Sequence, residues 1–477
     1  MIWIAAYLGS VIGAFLTIVV MTMIRNEYRH SIGRLGWLGL TLLSPPVAFV
    51  LFFFLAGRRV SAEHDRRDTI AMPDPGPYAI ELDEPDRYRF GQLLERRGIS
   101  ATTRGSRVEL IDSPADHYRR YLELFRSAEE SIYVMTFVAH NDELFTDMMD
   151  IWIDKAKSGV QVCVLVDGFG SVKLRNAEFD GLRAAGGKAA IFKPMTRPSR
   201  LSYLNLRDHR KIAVVDGRRG ILGGANLVDY QITTRDEVTA AGEKIWDDLS
   251  LSIEGPATVS MQSVFCSDWN FVTDEDLPPP ELRQPVPADR QRWNDTPSEF
   301  SALTILPVGP DAPHEILDDF WLYAIHSAKK TLRFVTPYFV PPTAVHRSLE
   351  SACRRGVDVQ LIIPETSDLA VADYARLDYL RDLVEDGVRV FRYQPRMLHA
   401  KVGIVDDEIA VVGSANFDVR SFFLNYECSA VIHDHATVSR VIDWFDARRE
   451  QCAPGMADLS LSKRFLGVAA RLFASEL

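Results

Sequence analysis

The second half of this chain repeats its first half. Ser127-Ala128-x-x-Ser131-Ile132-x-x-Met135-Thr136 returns 200 residues later as Ser327-Ala328-x-x-Thr331-Leu332-x-x-Val335-Thr336. Gly159-Val160-x-Val162 returns as Gly356-Val357-x-Val359 at an offset of 197, and His209-x-Lys211-x-x-x-x-Asp216 as His399-x-Lys401-x-x-x-x-Asp406 at 190. Ala257-Thr258-Val259-Ser260 returns as Ala436-Thr437-Val438-Ser439 at 179. Any one match is within reach of chance. Four in one order, with slowly falling offsets, specify a duplicated α/β unit with loop insertions, and the domain-sized period excludes a solenoid.

Within each copy, short β-branched runs (Ile132–Val138, Val160–Val166; Leu332–Val335, Val357–Ile363) alternate with helix-like stretches such as Leu144–Lys157 and Ala344–Arg355. The expected fold is therefore two α/β repeats related by a pseudo-twofold, each a mixed sheet with helices on both faces. Residues 111–272 form the first repeat and 301–455 the second, separated by a Pro-rich linker at 273–300 that holds three consecutive prolines at 278–280. Residues 60–110 read as a connecting region. A stretch at 456–477 places Leu461, Phe465, Val468 and Leu472 at helical spacing, which predicts an amphipathic C-terminal helix packed on the body or lying on a membrane surface.

Residues 1–59 read as a membrane anchor. Two apolar segments, about 2–24 and 35–57, contain no charged side chain. At 1.5 Å per residue each is long enough to cross a hydrocarbon core of about 30 Å, which predicts two transmembrane helices, the second kinked or re-entrant at Pro45-Pro46. A cleaved signal peptide fits less well, because there is no basic leader and a second apolar run follows at once. The anchor carries net +4, so the remaining 418 residues carry −15 of the chain's total −11. An acidic body argues against a protein built to wrap nucleic acid. Five scattered cysteines with no C-x-x-C pair suit a body in a reducing compartment, so the expected location of the body is cytoplasmic.

Each repeat contains one chemically loaded constellation. The first reads His209-Arg210-Lys211, then Asp216, Gly223-Gly224-Ala225-Asn226 and Asp248; the second reads His399-Ala400-Lys401, then Asp406, Gly413-Ser414-Ala415-Asn416 and Glu427. His to Asn is 17 residues in both. The period of two predicts that His and Lys of each triplet project from one face of a strand. An imidazole beside an ammonium, with a small-residue loop ending in Asn, suits a phosphate: Lys supplies charge, Asn supplies N–H donors, and His attacks or moves a proton near neutral pH. A Lys beside each His repels a metal ion, so no metal or cofactor is implied. A lone H-x-K would be a surface feature; its recurrence with matched Asp, Asn and Gly spacing makes it a site. Asp248 and Glu427 are the candidates to accept an Nδ1–H bond, placed 39 and 28 residues after the histidine of their own repeat. Asp216 and Asp406 complete the motif but read as bonding backbone at a strand end. From Arg183 to Lys211, eight basic residues and one acid form a positive lane for anionic headgroups, or an ordinary solvated loop.

Two H-x-K-x-x-x-x-D motifs, each followed by G-[GS]-x-N, resemble the phospholipase D superfamily. Two N-terminal apolar segments, Trp246-x-Asp248, Pro307-Val308-Gly309-Pro310-Asp311, Pro337-Tyr338-Phe339-Val340-Pro341-Pro342, Asn416-Phe417-Asp418-x-Arg420-Ser421 and Asn425-x-Glu427 extend the resemblance to bacterial cardiolipin synthases over essentially the whole chain. The resemblance implies a multi-pass protein of the bacterial inner membrane. It implies transfer of a phosphatidyl group between two phosphatidylglycerol molecules through a phosphohistidine, giving cardiolipin and glycerol. It implies His209 as nucleophile and His399 as acid/base, Lys211, Lys401, Asn226 and Asn416 on the phosphate oxygens, and Asp216 and Asp406 as members of the catalytic motif. Pro337–Pro342 would wall the site. A membrane-bound hydrolase or another phosphatidyltransferase of the superfamily uses the same residues, and phosphatidylethanolamine is an alternative donor.

Overall fold

In the computed structural model, the described residues are 70–79, 89–195, 206–278, 280–281, 299–309, 311–312 and 315–456, with 7, 9–13, 15 and 44 near the N-terminus. Among them no helix is long and apolar enough to cross a membrane. Nearly all of the two apolar segments, most of the Pro-rich linker and the amphipathic stretch at 457–477 lie outside the described residues.

The first repeat contributes strands β1 (Thr103–Ile111), β2 (Ser131–Thr136), β3 (Gln161–Asp167), β4 (Lys188–Phe192), β5 (Ile212–Val215), β6 (Arg219–Gly223) and β7 (Ser250–Glu254). The second contributes β8 (Ser301–Val308), β9 (Thr331–Val335), β10 (Phe339–Val340), β11 (Asp358–Pro364), β12 (Arg389–Tyr393), β13 (Val402–Val405), β14 (Ile409–Gly413), β15 (Phe417–Asp418), β16 (Glu427–Ile432) and β17 (Cys452–Pro454). Fifteen of these form one mixed sheet. From its centre the first repeat runs β1-β7-β6-β5-β2-β3-β4, and the second runs β8-β16-β14-β13-β9-β11-β12 with β17 added at the edge. The two orders are the same, so the pseudo-twofold lies between β1 and β8, which pair antiparallel with Thr103 opposite Leu303. The expected mixed sheet with helices on both faces is what forms.

The apolar runs explain the layers. β2, β3 and β11 have parallel neighbours and are largely buried on both faces, hence mostly apolar stretches without alternation, whereas β9 alternates and leaves Thr331 and Arg333 half-buried. On one face, helices Ala257–Thr273 and His435–Arg449 lie over a single core that includes Leu251, Phe265, Trp269, Ala430, Val441 and Phe445 and spans both repeats. On the other face each repeat keeps its own core, Phe125, Met148 and Trp152 in the first and Phe320, Leu349 and Leu380 in the second. Side-chain caps fix several helix starts: Asp142 accepts from Phe145 N at 2.9 Å and Asp434 from Thr437 N at 2.8 Å.

The connecting region drawn at 60–110 needs correction. Its C-terminal part is the middle of the molecule: β1 starts at Thr103, and helix Arg89–Arg96 seats Phe90 against Phe320 and Tyr323 of the second repeat, at 5.9 and 5.4 Å between centroids. The polar residues of β1 (Arg104, Ser106, Arg107, Glu109) mask its strand character, because part of this central strand remains accessible.

Candidate active site

The histidines are reached through a crossing that the linear order conceals. Neither H-x-K triplet lies within a strand. Each forms the extended lead-in to one, β5 or β13, and each lead-in is held by the opposite repeat. Asp208 bridges Tyr426, with Tyr426 N donating to Arg207 O and His209 N to Tyr426 O, both at 2.9 Å. Asp247 bridges Leu398 in the same manner, with Asp247 N donating to Met397 O at 2.8 Å and His399 N to Asp247 O at 2.7 Å. The two H-x-K lead-ins do not meet within the sheet, where six strands separate β5 from β13. Each triplet meets the segment that leads to the carboxylate of the other copy.

The consequence is an exchange of partners. His209 Nδ1 donates to Glu427 at 2.8 and 2.9 Å from its two oxygens, and His399 Nδ1 donates to Asp248 Oδ2 at 2.7 Å. Asp248 and Glu427 do bond a histidine Nδ1, but each bonds the histidine of the other repeat. With Nδ1 engaged, Nε2 is the nitrogen left for chemistry. Lys211 Nζ donates to the His209 carbonyl at 2.6 Å and stands 5.4 Å from the Phe137 ring centre, and Phe137 packs edge-on to His209 at 4.8 Å. Lys401 Nζ donates to the His399 carbonyl and lies 2.9 Å from both ring nitrogens of His399. Trp246 and Tyr338 lie 5.4 and 6.4 Å from the His399 ring, so one residue of the Pro337–Pro342 segment does line the site.

Burial governs the electrostatics. It holds the His209 imidazole well below its ordinary value, helped by Lys211 and Lys401, and it lowers His399, with Lys401 adding and Asp248 opposing. It draws Lys211 down to about 7 and Lys401 to about 8. The carboxylates diverge. Burial pushes Glu427 up to about 7. In Asp248 burial also opposes the charge, yet the bond from His399 and the charges of His399 and Lys401 hold it below its ordinary value. A phosphodiester between the lysines would favour their charged forms and raise both histidines.

The copies differ in how they seat the carboxylate. Gly224 approaches Asp248 so closely that a Cβ there would stand 2.1 Å from Oδ1. The matching Ser414 instead donates to Glu427 at 2.6 Å, joined by Ser421 at 2.8 Å and Asn425 at 3.3 Å. The two asparagines are buried near the site: Asn226 Oδ1 accepts from Val138 N at 3.2 Å and its Nδ2 donates to Gln231, whereas Asn416 Oδ1 has no hydrogen-bond partner.

Asp216 and Asp406 are not part of this cluster. They follow β5 and β13, at the strand ends remote from the histidines, in left-handed turns with φ of 55° and 50°. Asp216 accepts from the backbone amides of Glu129, Glu130 and Ser131 at 2.7–2.9 Å, and Asp406 from Lys329, Lys330 and Thr331 at 2.6–2.8 Å. Their grouping with the catalytic residues is corrected to a structural role, pinning the start of β2 and β9. Of the positive lane, Arg183 pairs with Asp180, Lys188 pairs with Glu275, and Arg207 and Arg210 are buried, while Arg197 and Arg200 lie outside the described residues.

Arg210, the middle residue of the first triplet, was not singled out by the sequence. It is fully buried and grips both repeats, donating to Asp268 at 2.7 Å, to Asp311 at 2.8 and 3.0 Å, and through Nε to the Glu427 carbonyl at 3.1 Å. The second triplet has Ala400 there, a difference between otherwise matched copies that was the available signal.

Comparisons with known proteins agree with this geometry. A family profile described as "Cardiolipin synthase, PLD-like domain" matches residues 121–244 and 322–449, one segment in each repeat. A cardiolipin synthase of Geobacillus thermodenitrificans is 30% identical over 454 residues, covering 92% of this chain and 88% of its own. Cardiolipin synthase A of Pseudomonas syringae is 32% identical, covering 91% and 87%. Among solved structures, the phosphatidylserine synthase of Haemophilus influenzae superposes with a TM-score of 0.57 at 16% identity, over 78% of this chain and 95% of that one, a likeness of fold.

Proposed function

This chain belongs to the cardiolipin synthase family built from phospholipase D-like domains, and we propose that it makes cardiolipin from two phosphatidylglycerol molecules. It is a phosphatidyltransferase. The observation that carries the reading is the crossed pair of histidine–carboxylate bonds, each beside a buried lysine.

In this reading His209 Nε2 attacks the phosphorus of the first phosphatidylglycerol. The P–N bond forms, the bond from phosphorus to the glycerol oxygen breaks, and His399 gives that oxygen its proton. Glycerol leaves. A hydroxyl of the second phosphatidylglycerol then attacks, passing its proton to His399 as the P–N bond breaks. Lys211, Lys401, Asn226 and Asn416 stabilise the nonbridging oxygens, and Glu427 and Asp248 hold the rings. The electrostatic difference supports these roles: His209, held well below its ordinary value, is the better neutral nucleophile, whereas the ionised Asp248 supports a proton on His399.

The reading extends to location. Two uncharged segments at 2–24 and 35–57 would fix the body against the bacterial inner membrane, on the cytoplasmic side, where acceptor lipids are concentrated. The test is purified full-length protein given vesicles of phosphatidylglycerol alone. Cardiolipin and glycerol should appear in equal amounts despite chelator, and His209→Ala should remove both products and the labelled protein intermediate, a loss of roughly 10⁴-fold or more. Phosphatidic acid as the main product would overturn the synthase reading in favour of hydrolysis.

A further inference from the structure

The internal symmetry offers a ruler for function. Residues at matched positions should surround the two histidines alike, and where they do not, the difference has a use. The pairing registers fix the match: Ser131–Gln161 corresponds to Thr331–Asp358, and Leu222–Leu251 to Val412–Ala430. Asn226 N donates to Gln231 and Asn416 N to Ser421, five residues on in both copies. At the His399 end stand Tyr338, Asp368, Tyr230 and Trp246. Their counterparts at the His209 end are Val138, Ser171, Arg420 and Asn425.

All four exchanges favour one chemistry at the His399 end. Trp246 lies 5.4 Å from the His399 ring and Tyr230 packs on Trp246 at 4.7 Å, giving an aromatic wall. Tyr338 donates its hydroxyl to Asp368 Oδ1 at 2.5 Å, and Asp368 is exposed, so its carboxylate can accept further donors. The counterpart Ser171 is buried and occupied with backbone, donating to Phe137 O and accepting from Ala139 N. Counterpart Asn425 turns inward to Glu427, and Arg420 adds positive charge near His209. One end of the shared site is thus aromatic with an open carboxylate, and the other is cationic.

We propose that Trp246, Tyr230, Tyr338 and Asp368 form an alcohol subsite that binds the glycerol of phosphatidylglycerol, both as it departs and as it arrives on the second lipid. The inference rests on the functional reading above, which puts the proton on His399 and hence the alcohol oxygen beside it. Glycerol has an apolar C–H face that covers aromatic rings and hydroxyls that donate to a carboxylate, a charge-assisted bond stronger than a neutral one. A site built to bond a hydroxyl discriminates against a headgroup that lacks it. Asp368 and Tyr338 are then specificity determinants.

The test compares two donors that differ only in the alcohol. Full-length protein is given vesicles of phosphatidylglycerol or of phosphatidylethanol, and headgroup release is followed for each. Wild-type protein should prefer phosphatidylglycerol. Asp368→Asn and Tyr338→Phe should each reduce that preference, by about tenfold for Asp368→Asn, with a rise in KM for phosphatidylglycerol larger than the fall in kcat. Asp368→Glu should recover part of it. Equal rates on the two lipids in wild type, an unchanged preference in both variants, or a parallel loss on both lipids would overturn the subsite. Because the readout is the bond-breaking step, a protein that cleaves phosphatidylglycerol without making cardiolipin would overturn the synthase reading alone, and the headgroup preference would still decide the subsite.

Discussion

The His209 end and the His399 end of the site share a backbone and differ in nearly everything attached to it. Both histidines sit on a lead-in strand, bond a carboxylate from the opposite repeat and stand beside a buried lysine. Yet burial pushes Glu427 up to about 7 against the opposing pull of Lys211 and of the Ser414, Ser421 and Asn425 donors, while Asp248 is held below its ordinary value. Duplication supplies the two imidazoles that the proposed two-step transfer needs. In that proposal, divergence assigns one as nucleophile and the other as acid/base.

The carboxylates give the sharpest way to break this comparison. Glu427→Gln and Asp248→Asn should each lower kcat by about 10²- to 10⁴-fold, through loss of ring orientation. Their pH profiles should differ. Ionised Glu427 is the stronger acceptor for the His209 Nδ1–H and the better support for charge on that ring, so activity should fall as pH drops through about 7. That acid limb should vanish in Glu427→Gln and persist in Asp248→Asn. A limb near pH 7 that survives in Glu427→Gln would place the difference between the two ends elsewhere.

Arg210 is the next lever. Removing it takes the buried guanidinium away from Asp268 and Asp311, so Arg210→Ala should cost about 3–5 kcal/mol of stability, read by denaturant unfolding. Ala400 offers no counterpart, and Ala400→Gly should cost about 1 kcal/mol at most. Equal losses would mean that the clamp contributes nothing.

The smallest effect belongs to the motif aspartates. Asp216→Asn and Asp406→Asn should each destabilise by about 1–3 kcal/mol, since an amide meets three backbone donors less well than a carboxylate. The two losses should be alike, and kcat should fall no more than a few-fold in the folded protein. A kcat loss as deep as that of the histidine variants would return these residues to the chemistry.

The duplication and the mixed sheet were legible because they rest on repetition and period, which a single sequence carries, and the same repetition singled out the histidines, lysines and carboxylates that the fold brings together. The crossing was not. A duplicated chain offers two acceptors for each histidine, and spacings of 39 and 28 residues describe distance along the chain, not the bridges Asp208–Tyr426 and Asp247–Leu398 that bring the ends together. The aspartates were misgrouped because a motif records what recurs and says nothing about which end of a strand a side chain serves. The centre of the sheet was missed at β1, where Arg107 and Glu109 make a central strand read as a linker.

The exchanged bonds also bear on how the protein is made. A ribosome completes the first repeat well before Tyr426 and Glu427 exist, so a half-finished chain holds His209 with no acceptor for its Nδ1 and no partner for its lead-in. In such a chain the His209 ring is not yet oriented, and the crossed geometry forms only when the second repeat docks on the first.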